Sequence, residues 1–376
     1  MGLEIHSDMS ATAPVVTIDP HPAQPAPRKL KKKLVRRDAR NYSQKIRHTL
    51  QAAFLLLNVW LGAQFYLWVR QFEVPGSPLS VGRPAGVEGW LPIAGMMNLK
   101  YWLVCHHIPA IHPAAMFLLL AFLSMAFLFR KAFCSWLCPV GTISEYLWRA
   151  GRKMFGRNFR IPPWFDIPLR GLKYLLLGFF VWAVAGMSAE AIESFMHSPY
   201  GLIAAVKMLD FFRFMSVTGF IVIGLLLAAS LFVENFWCRY LCPYGALLGL
   251  ASLFSPLRIR RNSEACIDCA KCARACPSAL PVDRLASVRS AECTGCLACV
   301  SVCPAESALT MSLPQMLESR RRRRGLPAWA MATGIALLFL GLVGFAKVTG
   351  HWNSPVPNSV YHQLIPHADS VEHPMP

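Results

Sequence analysis

The sequence predicts an all-α integral membrane protein of about five transmembrane helices. Four of them form two parallel-repeat hairpins, and a small cysteine-rich α+β domain is inserted before the fifth. Three observations carry this expectation. Hydrophobic residues make up 55% of the 376 residues, charged residues only 15%, and mean hydropathy is +0.39, which are values of a membrane protein. Five segments approach or reach the roughly 20 apolar residues that cross a bilayer as a helix: Thr49–Val69, Pro113–Phe129, Tyr174–Ile192, Phe214–Val233 and Leu326–Ala346. Twelve of the 13 cysteines fall in four regularly spaced motifs.

Taken in order, residues 1–48 are polar and Pro-rich up to Pro27 and basic from Arg28 to Arg47. That composition cannot bury a core and is expected to be disordered. Arg36-Arg37 does not read as a twin-arginine export signal, because Asp-Ala-Arg-Asn follows it and no small-residue cleavage site comes after the first span. The first span is therefore an uncleaved signal anchor. Residues 49–255 form the four-helix membrane domain, 256–312 the inserted domain, 313–346 an Arg-rich linker with the fifth span, and 347–376 a Pro- and His-containing tail.

The net charge of +18 is a topology signal. With the N-terminus inside, segments 1–48, 130–173 and 234–325 hold 32 of the 38 Lys and Arg but 13 of the 20 acids, as the positive-inside rule requires. Nucleic-acid binding is not expected. Arg320–Arg324, just before the fifth span, reads most simply as a cytoplasmic anchor, the alternative being a lipid-headgroup or partner site.

FCSWLCPVG at 133–141 returns 104 residues later as WCRYLCPYG at 237–245. The copies match at both cysteines, the leucine between them, the proline and the glycine, and each follows a span that runs inward. Cysteines four apart share a helical face, and the proline calls for a break near the motif. Together Cys134, Cys138, Cys238 and Cys242 would make a four-thiolate set for a soft metal, an iron–sulfur cluster or a dithiol–disulfide couple. The bland alternative is four small buried apolar residues.

The inserted domain carries the strongest signal. Cys266, Cys269, Cys272 and Cys276-Pro277 form one Cys-x2-Cys-x2-Cys-x3-Cys-Pro run, and Cys293, Cys296, Cys299 and Cys303-Pro304 form the second. In such runs three thiolates converge on one cubane and the fourth ligates the other. Cluster one would then use Cys266, Cys269, Cys272 and Cys303, and cluster two Cys293, Cys296, Cys299 and Cys276. Zinc commonly takes two Cys pairs rather than two four-Cys runs, and disulfides are unexpected on the reducing side. Two [4Fe–4S] clusters in a ferredoxin-type α+β domain are the expectation.

Toward the outer edge lie the lone Cys105, His106, His107, His112 and His197, with Glu190 and Glu193. They read either as quinol proton acceptors or haem ligands or as ordinary interfacial polar groups. No nucleophilic or hydrolytic constellation and no phosphate-binding glycine loop is present.

Residues 133–141 and 237–245, the two cysteine runs at 266–304 and their order resemble the polytopic membrane ferredoxins of the NapH, NosR and CcoG type. In plan the chain is most similar to the short YccM-like members. The resemblance implies electron transfer at the bacterial inner membrane, and the charge asymmetry puts the ferredoxin domain on the cytoplasmic side and the C-terminus on the periplasmic side. Neither a NosR-like flavin domain nor a CcoG-like immunoglobulin domain is expected. The function expected is an electron carrier between the quinone pool or a membrane redox partner and two [4Fe–4S] clusters, with a third metal centre at the paired Cys-x-x-x-Cys-Pro motifs as an additional possibility. The alternatives are a copper-reducing assembly factor for a respiratory oxidoreductase and a cluster-bearing subunit of a larger complex.

Overall fold

In a computed structural model, residues 41–374 are described except 75, 77, 79, 160 and 315–324. The tail to residue 40 and the Arg320–Arg324 run lie outside the described residues. The first helix, α1, spans Ser43–Glu73 and starts before the expected apolar stretch. Its first turns bury Arg47 and Gln51 against the body of the protein, so polar residues extend the helix there instead of ending it. α2 (Pro92–Cys105) leads through a turn to α3 (Pro113–Phe129). At 17 residues, α3 is about 25 Å long, short of the roughly 30 Å hydrocarbon core. It is buried on nearly every side, which is why it is apolar at almost every position.

The first cysteine motif follows as α4 (Ala132–Trp136) and α5 (Pro139–Phe155). α6 spans Pro163–Gly186, correcting the expected Tyr174–Ile192. Asp166, Arg170 and Lys173 are carried within this helix because each finds an ionic partner. At its other end Ser188 accepts the Ala191 N–H and starts α7 (Ala189–His197) afresh. α8 (Pro199–Leu202) and α9 (Ala204–Arg213) precede α10 (Val217–Phe232). α9 and α10 meet at 82°, and Ser216 caps α10 by accepting the Gly219 N–H at 3.1 Å. The expected Phe214–Val233 span is thus shortened at its start.

After the second motif come α11 (Pro243–Leu253) and the inserted domain. Its strands β1 (Arg258–Arg261) and β2 (Leu309–Ser312) pair antiparallel with Ile259 opposite Met311, and between them lie α12 (Lys271–Arg274) and α13 (Ala298–Ser301). α14 (Ala328–Val348), α15 (Asn358–Leu364) and a 3-10 turn at Ile365–Ser370 follow.

Among the described residues three helices, Ser43–Glu73, Trp164–Gly186 and Ala328–Val348, are long and apolar enough to cross a membrane, and the bent α9–α10 pair, counted as one span, raises the number to four. Leu56, Trp60, Leu175, Trp182, Val217, Phe220, Leu337 and Leu340 on these helices are 63–76% exposed. So much exposed apolar surface is a lipid-facing belt, not a water-facing one. The protein is a mostly helical, multi-pass membrane protein.

The inserted domain is not a tethered bead. Ile259, Cys276, Cys293, Leu297, Cys299 and Met311 belong to the same core as Phe122, Met125, Phe133, Trp136, Met331 and Ile335. At the opposite end, Tyr361 and Ile365 pack on Phe65, Trp68 and Phe72, with Tyr361 edge-on to Trp68 at 4.9 Å.

Candidate metal centres

The two Cys-x-x-x-Cys-Pro copies fold alike. In each, the N–H of the second cysteine donates five residues back to the carbonyl of the aromatic residue before the first cysteine. These bonds are Cys138 to Phe133 at 2.8 Å and Cys242 to Trp237 at 3.0 Å. The wide turn ends with the second cysteine at a helix N-cap, where its sulfur accepts the Gly141 N–H at 3.4 Å or the Gly245 N–H at 3.2 Å. Pro139 and Pro243 begin the following helices, where a missing N–H costs nothing.

Cys134, Cys138, Cys238 and Cys242 all line one cavity of about 1050 Å³. Burial and the neighbouring thiols push Cys134, Cys138 and Cys238 up, Cys134 to about 11, while the nearby Lys131 charge counters the rise at Cys134. Buried thiols that repel one another as thiolates suit a bound cation, which takes them deprotonated. Lys131 lies buried beside them. Behind it Lys173, fully buried, holds Glu292 at 2.6 Å. Burial raises the Glu292 carboxyl, but Lys131 and Lys173 outweigh it and hold the group below the usual carboxylate range.

The residues between the cysteines reach the inserted domain. In the first copy Ser135 Oγ donates to Thr294 O at 2.7 Å and Trp136 Nε1 to Gly295 O at 3.1 Å. In the second, Arg239 donates to Pro277 O at 3.4 Å. Asp166 holds Arg239 at 2.8 and 2.9 Å and accepts the Tyr240 hydroxyl at 2.6 Å, while Arg170 pairs with the same carboxylate.

Inside the inserted domain the eight cysteines divide between two small cavities. One is lined by Cys266, Cys269, Cys272 and Cys303, the other by Cys276, Cys293, Cys296 and Cys299. Four cysteines around one cavity make the donor set of an iron–sulfur cubane. Cys276, Cys293 and Cys299 are buried, while the cysteines of the other set are half-buried. Among the described residues no three His, Cys, Asp or Glu side chains converge closely enough to hold a single metal ion.

The outer-edge candidates do not form one site. His112 is buried with Glu88, at 3.1 Å, and its Nε2 meets Gly201 O at 2.8 Å. His106, His107, His197, Glu190 and Glu193 are exposed, and Glu193 accepts the Tyr101 hydroxyl at 3.2 Å. Cys105 is half-buried at the end of α2. Sequence reasoning missed Lys131, Lys173, Glu292, Asp166, Arg47 and Glu145. The available signal was charge carried in or beside apolar helices, which marks paired or functional groups.

The family described as "4Fe-4S binding domain" matches residues 111–162 and 215–262, one cysteine turn in each, and "4Fe-4S dicluster domain" matches 259–311. The chain is 51% identical over 327 residues to the "Putative electron transport protein YccM" of Escherichia coli, covering 87% of this chain and 91% of that one. It is 26% identical over 255 residues to the ferredoxin-type protein NapH of Haemophilus influenzae, across 64% of this chain and 80% of NapH. To the regulatory protein NosR of Pseudomonas aeruginosa it is 31% identical over 175 residues, across 45% of this chain and 23% of NosR. No solved structure matches.

Proposed function

Since the chain belongs to the NapH/NosR-type family of polytopic membrane 4Fe–4S proteins, we propose that it passes electrons between the quinone pool, or a membrane redox partner, and its two [4Fe–4S] clusters on the cytoplasmic side of a bacterial inner membrane. It is an iron–sulfur electron-transport protein with two [4Fe–4S] clusters. The proposed ligands are Cys266, Cys269, Cys272 and Cys303 for one cluster and Cys276, Cys293, Cys296 and Cys299 for the other, a division supported by the two cavity linings. Cys134, Cys138, Cys238 and Cys242 are proposed to hold a third metal centre. In the proposed topology five spans cross the membrane, with α3 and α10 as the short ones, the N-terminus and clusters inside and the C-terminal tail outside.

One observation carries this reading. The large cavity is lined at one end by the four paired-motif cysteines and Cys296, along its length by Phe54, Leu57, Leu61, Phe122 and Phe339, and at the other end by Arg83, Gly86 and Trp90. A long apolar cavity with polar groups at its ends suits an isoprenoid quinone.

The test is anaerobic mixing of purified protein with a short-chain quinol, or of dithionite-reduced protein with the quinone, read by EPR. Electron exchange is expected in one direction, slowed at least about tenfold by Leu61→Trp, a change of about 1.4 kcal/mol or more in barrier. Clusters that dithionite reduces but neither quinol nor quinone touches would sink the carrier reading. Copper bound stoichiometrically through Cys134, Cys138, Cys238 and Cys242 would favour the metal-handling alternative instead.

A further inference from the structure

The two cysteine cavities of the inserted domain have different surroundings. The one lined by Cys266, Cys269, Cys272 and Cys303 is completed by Arg261, Ile267, Ala270, Lys271, Asp283, Ala308 and Leu309, all from its own domain. Its loop is held locally, with Asn262 O accepting the Cys266 N–H at 3.0 Å and Arg274 donating to Cys269 O at 3.1 Å. The other cavity has its loops held from the membrane domain. Ser135, Trp136 and Arg239, which stand between the paired-motif cysteines, bind the carbonyls of Thr294, Gly295 and Pro277. Gln44 of α1 donates to Cys296 O at 2.9 Å.

The same Gln44 positions a charge. Its Oε1 accepts from Arg47 Nε at 3.1 Å and Nη2 at 2.9 Å. Arg47, 2% exposed, donates to Ser135 O at 3.1 Å and meets both oxygens of Glu145 at 2.6 Å. Arg47 is thus one side chain removed from the Cys296 backbone, and a fixed, buried cation there favours the extra negative charge of a reduced cluster, with the Glu145 carboxylate at its side acting the other way.

We infer that the cluster of Cys276, Cys293, Cys296 and Cys299 is the membrane-side member of the pair, and that Arg47 raises its reduction potential while Glu145 trims it. The inference rests on the ligand division proposed above. The step it serves is exchange of one electron between the clusters. One is oxidised as the other is reduced, and no bond forms or breaks. Arg47 is a positioning and tuning residue, not a catalytic one.

The test is mediated potentiometric EPR on the full-length protein in detergent, with dithionite as reductant. Cys299→Ser and Cys269→Ser assign the two signals by altering one each. Arg47→Gln is expected to move the Cys299-dependent midpoint to lower potential, Arg47→Lys to restore most of it, and Glu145→Gln to move it higher. The Cys269-dependent midpoint stays in place throughout. Should Arg47→Gln not accumulate, Glu145→Gln decides alone, since a purely structural role predicts no upward shift. Equal shifts of both clusters, or no shift in either, overturn the inference and leave the proposed function standing. Wild-type protein without cluster signals overturns both.

Discussion

Gly141 and Gly245 stand at the same place in the two repeat copies but do not have the same room. A Cβ at Gly141 would lie 2.3 Å from the Cys134 carbonyl oxygen, whereas at Gly245 the nearest atom is Cys242 Sγ at 3.5 Å. Gly141→Ala must push backbone apart and is expected to cost about 1–3 kcal/mol. Gly245→Ala should be neutral, or stabilising by up to about 1 kcal/mol through helix propensity. Thermal melting of the two variants in detergent separates these outcomes, and equal melting points would refute the close approach. Glu88 provides a second residue-level prediction. It is fully buried, 3.0 Å from Arg83 and 3.1 Å from His112. Burial raises its carboxyl, but His112, Arg83 and the Ala115 N–H outweigh it and hold the group below the usual range. A depressed folded pKa stabilises the protein above the unfolded value near 4.3, and that contribution disappears as pH falls through the folded value. Glu88→Gln leaves Arg83 uncompensated and is expected to cost about 3–5 kcal/mol at pH 7. The gap in melting temperature from wild type should narrow below about pH 4; a gap that widens on acidification contradicts the assignment.

At the scale of the element, α6 shows why some span ends were not legible. Read locally, Asp166, Arg170 and Lys173 look like the end of an apolar run, so the expected span began after them. Asp166 and Lys173 find partners 73 and 119 residues away, at Arg239 and Glu292, and a pairing over that distance leaves no local trace, while Arg170 pairs with Asp166 one turn away. The apolar middle of the helix and the repeat of the cysteine turns were legible, because hydrophobic run length and motif spacing are local properties. The proline break was legible too, and its cause proved to be helix initiation, with cysteine as the cap. The Lys173–Glu292 pair ties α6 to the inserted domain, so a double-mutant cycle with Lys173→Met and Glu292→Gln should give a coupling of about 0.5–3 kcal/mol. Limited proteolysis of residues 256–312 measures it, and additive effects would show that the pair does not hold the domain.

At the scale of the whole molecule, the paired cysteine turns, the two cysteine runs and their order carried the family and the cofactor type from sequence alone. The shared core of membrane helices and inserted domain was not legible, because the contacts of Ser135, Trp136 and Gln44 are made to backbone carbonyls, which have no residue signature. The proposed orientation is testable through Cys105, the last residue of α2 and half-buried, which that orientation puts outside. A membrane-impermeant maleimide should label wild type but not Cys105→Ser in intact spheroplasts. Labelling only after lysis would invert the topology. The central claim is tested most directly by iron and acid-labile sulfide counts with EPR on anaerobically purified protein. Two cubane clusters predict about eight irons and eight sulfides per chain, with more if the third centre is also an iron–sulfur cluster. Fewer than about four irons, with zinc in their place, would contradict the account.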